Sequence, residues 1–100
     1  MKEDVFNQYV DRAIELFSIS REEFFSKTKK REIVEARQLV FYLCHRRPIQ
    51  IIYIQKFMNE NGSSIKHPSI IYGINVMNHK VEDDKDYKVI IQDIERAVHI

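Results

Sequence analysis

An all-α fold of five or six short helices around a helix-turn-helix is what this sequence predicts, and three observations carry that expectation. Two glycines and two prolines, Gly62, Gly73, Pro48 and Pro68, are the only strong breakers in 100 residues. Apolar residues recur at the three- and four-residue spacing of a helix along most of the chain. Helix-start signals stand where new helices are needed: Ser20 three residues before Glu23, Pro68, and Asp84.

Taken in order, Phe6, Val10, Ala13, Ile14 and Phe17 place a first helix over about residues 3–17. Ser18-Ile19-Ser20 interrupts it, and the capping-box pair Ser20 and Glu23 opens a short second helix through Phe24 and Phe25. A basic connector, residues 27–30, leads to a third helix over about residues 30–47. Its core face is Val34, Leu39 and Leu43, with Ile33, Val40 and Cys44 beside them. Pro48 ends it, because its ring blocks a helix and it has no N–H to donate. A fourth helix covers about residues 50–59, with Ile51, Ile54 and Met58 inward, although the β-branched run Ile51, Ile52 and Ile54 would also suit a strand. Residues 59–64, Asn-Glu-Asn-Gly-Ser-Ser, are a turn by composition. Pro68 opens a fifth helix with the stripe Ile70, Ile71, Ile74, Met77 and Val81. Asp84 caps a sixth that buries Tyr87, Ile90, Ile91, Ile94 and Val98.

This length suits one domain over residues 1–100, and the supply of apolar and aromatic residues is that of a globular chain. Net charge is only +1, but its distribution is uneven. Residues 27–80 hold ten basic side chains against three acidic ones, whereas residues 1–26 and 81–100 each hold three basic against six acidic. A basic block between acidic ends is the electrostatic footprint of a phosphate-binding surface, set against the plainer reading of a mixed solvated surface.

Other chemistry finds little support. Cys44 is the single cysteine, so no intrachain disulfide forms, and its apolar setting suits a buried hydrophobe. His45, His67, His79 and His99 lack metal-ligand spacing with Cys44. The acidic run Glu82, Asp83, Asp84 and Asp86 lacks the glycine and spaced ligands of a calcium loop. No catalytic arrangement is suggested by spacing, so no enzyme activity, metal or cofactor is expected. Residues 1–10 are acidic and carry no apolar run, and no stretch has the length of a membrane span, which makes the cytoplasm the expected location.

Two clusters suit a polyanion. Arg37 and Gln38 lie early on the third helix, and His67 and Ser69 lie at the start of the fifth, the end that recognition helices present to base edges. The plainer readings are an Arg37 paired with Glu35 or another carboxylate, a Ser69 that merely caps its helix, and a loop histidine.

Joined to the basic connector, these residues resemble the C-terminal DNA-binding domain of the bacterial chromosomal replication initiator DnaA, a helix-turn-helix family, and the chain more distantly resembles Trp-repressor-like folds. That family has a basic loop, a helix with an Ala/Pro-Arg-Gln run, and a helix-turn-helix whose second helix opens Arg-Asp-His-Thr/Ser-Thr-Val. Here Ala36-Arg37-Gln38 stands at the run, Lys29 and Arg31 in the loop, and His67-Pro68-Ser69-Ile70-Ile71 at the opening. The similarity covers about residues 6–98.

The resemblance implies sequence-preferring binding of double-stranded DNA, in replication initiation or its regulation, by a monomeric isolated domain that could also meet replication proteins and has no membrane role. It implies that the loop enters a minor groove. It also assigns DNA contacts to Lys29, Arg31, Arg37, Gln38, His45, Lys66, His67, Pro68 and Ser69. The chain departs from the pattern in four places. Ile65-Lys66 replaces Arg-Asp, Pro68 replaces the first Thr, Gln55 stands at a glycine, and the turn before His67 is longer. Lys66 reverses the charge of an acceptor, and the ring of Pro68 can touch a thymine methyl but has lost the hydroxyl. The G-x-x-x-x-G-K loop of the initiator's ATPase module is absent, so this would be the DNA-reading part alone. The competing expectation is a protein-interaction module that kept the fold and lost DNA recognition, with the acidic ends as contact surfaces.

Overall fold

The computed structural model describes residues 1–98, and these form six α-helices with no strand among them. They are α1 (Lys2–Phe17), α2 (Arg21–Phe25), α3 (Arg31–Arg46), α4 (Ile51–Glu60), α5 (His67–Asp83) and α6 (Lys85–Ala97). The all-α expectation is met. His99 lies outside the described residues.

Local chemistry accounts for most boundaries. α1 stops at Ser18, which adopts the left-handed conformation (φ 54°) and returns its N–H to the carbonyls of Glu15 and Ile14. The capping box of α2 is complete: Ser20 Oγ accepts from the Glu23 N–H at 3.0 Å, and Glu23 Oε1 accepts from the Ser20 N–H at 2.9 Å. Hydrogen bonding from the Ser20 N–H, and after it from the Ser20 hydroxyl, holds the Glu23 carboxyl below its usual range. Asp84 caps α6 by accepting from the Asp86 N–H at 2.9 Å. α5 begins one residue before Pro68, at His67, with Lys66 as its cap residue.

α3 is the central helix. It buries Ile33, Ala36, Gln38, Leu39, Val40, Phe41, Tyr42, Leu43 and Cys44, so it is covered almost all round. α1 packs along one side of it and α5 along another. A single apolar cluster reaches all six helices, and Phe6 links α1 to α2 through Phe25 and to α4 through Phe57, with ring centroids 6.4 and 5.4 Å away. Burial of Ile54, Phe57 and Met58 against this cluster makes α4 a helix despite its β-branched run.

The apolar faces differ from expectation in detail. Val34 and Ile51 are only half buried, and Ile71 is 45% exposed because it lies one residue off the Ile70, Ile74 and Met77 stripe, a rotation of roughly 100°. Val5, Tyr9, Ile49 and Phe57 join the core instead.

Two polar clasps close the far side of α3. Glu35 accepts a hydrogen bond from the Tyr87 hydroxyl and pairs with Lys80 Nζ at 3.3 Å, tying α3 to α6 and α5. Arg46 forks onto Glu95 of α6 at 2.9 and 3.3 Å. No helix among the described residues is long and apolar enough to cross a membrane.

Candidate nucleic-acid interface

The basic connector between α2 and α3 faces the start of α5 across a cleft of about 670 Å³. Its floor is α3, through Val34, Arg37, Gln38 and Phe41. Residues 26–29 form one wall. Residues 63–66, Pro68, Ser69 and Tyr72 form the other.

The connector wall is shaped by Arg37. Its Nε donates to the Phe24 carbonyl at 2.7 Å, Nη1 to Thr28 at 2.9 Å, and Nη2 to Ser26 at 2.6 Å and Glu23 at 3.4 Å. The guanidinium thus satisfies carbonyls at the C-terminal end of α2, which has no intrahelical partners for them, and continues into the loop. Burial lowers its pKa, but a guanidinium stays charged under all ordinary conditions. Among the described residues neither Glu35 nor any other carboxylate is its partner. Its donors are turned toward the protein's own backbone, and they organise the segment that carries Lys27 and Lys29.

Gln38 is nine-tenths buried, and its side chain packs under α5 at Gly73. A Cβ built on Gly73 would stand 3.1 Å from both Gln38 Cγ and Phe41 Cδ2, so the missing side chain is what lets α5 come this close to α3. At the other wall, Gln55 Nε2 donates to the Ile65 carbonyl at 3.1 Å and anchors the segment that carries Lys66. The Ser69 side chain does not cap α5; the cap position belongs to Lys66, and no side-chain cap bond forms there.

Charge pairing decides which cations remain available. Of the ten basic residues in the central block, Arg37 serves carbonyls, Arg46 is held by Glu95, Lys80 by Glu35, and Arg47 meets the Tyr9 hydroxyl. Lys27, Lys29, Lys30, Arg31, Lys56 and Lys66 are exposed and outside any salt bridge among the described residues. Lys27, Lys29 and Lys66 line the cleft.

Of the residues singled out from sequence, the cleft brings together Lys29, Arg37, Gln38, Lys66, Pro68 and Ser69. His67 is exposed on the first turn of α5, beside the lining rather than in it. Arg31 is exposed at the start of α3, and His45 is exposed near its end; neither lines the cleft. Sequence reasoning missed Tyr72, Ser63 and Ser64. Tyr72 was accessible to it, since it follows Pro68 by four residues and so shares its face of the helix.

No protein-family model matches the chain, and no solved structure matches it significantly. The whole chain is similar to part of the chromosomal replication initiator protein DnaA of Flavobacterium psychrophilum, at 26% identity over 104 aligned positions. It spans 20% of that protein's length, and its similarity there is to a DnaA-related domain.

Proposed function

We propose that this chain binds double-stranded DNA with sequence preference, in replication initiation or its regulation, and performs no catalysis. α4 and α5 act as the helix-turn-helix. The first turn of α5 enters the major groove, where His67 and Lys66 meet base edges, and the connector of residues 26–30 reaches the adjacent minor groove. The sugar–phosphate strand between the two grooves then lies over the cleft.

The observation that carries this reading is the cleft itself, with lysines on both walls that form no salt bridge among the described residues and a helix start at its edge. A helix start adds positive potential through its unpaired N–H groups. The similarity to a replication initiator supports the same assignment.

Selection from a random duplex pool tests it. Recovery of a shared site, bound with an affinity that falls steeply as salt rises, is the expected outcome. A folded protein that recovers no site and shows no salt-dependent binding to duplex would favour a protein-interaction module on the same fold.

A further inference from the structure

Gln38 and Ser63 are the buried polar side chains of the described residues, 9% and 8% exposed. No hydrogen bond holds either side chain among those residues, yet no fully enclosed polar atom there lacks a partner. The Gln38 amide and the Ser63 hydroxyl therefore each open onto a surface, and the surface that both line is the cleft between the connector and α5. A polar group so nearly buried and still without a protein partner is one that an occupant can satisfy. The amide offers a donor and an acceptor side by side. Around it the lining is apolar, through Val34, Phe41, Ile65 and Tyr72. A sugar–phosphate strand is polar and leaves that floor without a match. A volume of about 670 Å³, apolar walls and a few placed polar groups are the attributes of a small-molecule site. Arg37 is committed to main-chain carbonyls, so charge on an occupant falls to Lys27, Lys29 and Lys66, which form no salt bridge among the described residues.

We infer that this cleft is a binding site for a small aromatic anion. The ring packs on Val34, Phe41 and Tyr72, a hydrogen-bonding ring edge meets the Gln38 amide and the Ser63 hydroxyl, and the lysines hold the anionic group. A free nucleotide and an aromatic carboxylic acid share this chemistry. Occupancy and duplex binding exclude one another, because the strand proposed to lie over the cleft needs the same space; this clause alone rests on the duplex-binding reading.

The test uses the whole chain and anilinonaphthalenesulfonate, an aromatic anion with one N–H that fluoresces when withdrawn from water. One saturable dye site per folded chain is expected. Lys27→Ala/Lys29→Ala, which leaves the core untouched, and Gln38→Met should each weaken it about fivefold, the worth of exposed ionic contacts and of one hydrogen bond. Gln38→Met should resist urea at least as well as the parent, since methionine keeps the length and removes an unpartnered amide. Adenosine monophosphate and indoleacetate then compete with the dye: displacement by the first marks a nucleotide site, and displacement by the second alone marks a site for aromatic acids. The selected duplex should displace the dye as well. Absence of a saturable dye site, dye binding unchanged in both variants, or a dye that neither competitor displaces overturns the inference, and a duplex that binds alongside the dye overturns the exclusion. Dye and competitor binding by a folded protein that binds no duplex supports the site and removes only the duplex reading.

Discussion

Arg37 Nη2 donates to the main-chain carbonyl of Ser26 at 2.6 Å, so a side chain of the central helix sets the path of the basic connector eleven residues before it. The same guanidinium reaches Phe24 and Thr28, and one planar group thereby fixes both the end of α2 and the loop beyond. A lysine has the charge but not the fork. Arg37→Lys should therefore lose most of what Arg37→Ala loses, about 2–4 kcal/mol by urea unfolding, given net values for charge-assisted hydrogen bonds and the carbonyls left without partners. Amide exchange in residues 26–30 should accelerate in both variants. A lysine variant as stable as the parent would show that charge alone holds the loop.

The free lysines make a separate prediction. Replacing Lys27 and Lys29 together by alanine should weaken binding to every duplex and make the salt slope shallower by roughly two counterions. Arg37→Ala should lower affinity through the loosened wall without the one-counterion change expected of a phosphate contact. Lys66→Asp should additionally change base preference, since a carboxylate accepts where an ammonium only donates. Fluorescence anisotropy across a salt series checks all three.

Gly73 sets the spacing of α3 and α5. A methyl at this position would meet Gln38 Cγ and Phe41 Cδ2, each at 3.1 Å, and both neighbours would have to yield slightly. Gly73→Ala should be near neutral, because the gain in helix propensity of about 1 kcal/mol offsets that displacement. Gly73→Val should cost about 1–3 kcal/mol by overpacking, measured by urea denaturation. A neutral valine variant would mean the interface is looser than these distances imply.

Tyr87 gives the fold an alkaline limit. Burial, followed by its hydrogen bond to Glu35, raises its pKa above the ordinary tyrosine value. The folded state therefore favours the protonated phenol more than the unfolded chain does. That contribution is complete below the unfolded pKa of about 10 and is lost as pH rises from there toward the folded value. Tyr87→Phe should lower stability at neutral pH and reduce the loss on moving to strongly alkaline conditions, as followed by thermal melts. Tyr9, also raised by burial, should ionise late in the same titration when tyrosinate absorbance is recorded.

Helix positions are legible in this sequence because local signals and burial agree. Ser20, Glu23 and Asp84 are caps by chemistry and by structure, and the stripe through Ile70, Ile74 and Met77 does face the core. The fourth helix is less legible, since Ile51, Ile52 and Ile54 have strand propensity and only contacts with the rest of the core decide the matter. Ile71 falls outside the core it was expected to join because a run of two isoleucines hides which one carries the periodicity. For the candidate site, the sequence singles out Lys29, Lys66, Pro68 and Ser69, which line one cleft, but it cannot show how Arg37 is spent. Its partners are main-chain carbonyls, which exist at every residue and leave no mark on a sequence. Pairings such as Arg46 with Glu95, 49 residues apart, are equally invisible until the helices pack.

Glu35 and Glu95 neutralise Lys80 and Arg46, while Lys27, Lys29 and Lys66 have no salt-bridge partner among the described residues. A chain with almost no net charge is thereby electrically lopsided. In the field of a polyanion such a molecule experiences torque before it experiences much net attraction, and it rotates its lysine-bearing cleft forward during approach. Its encounter rate is then governed by orientation as well as distance, and added salt slows productive arrival by shortening the range over which that turning begins.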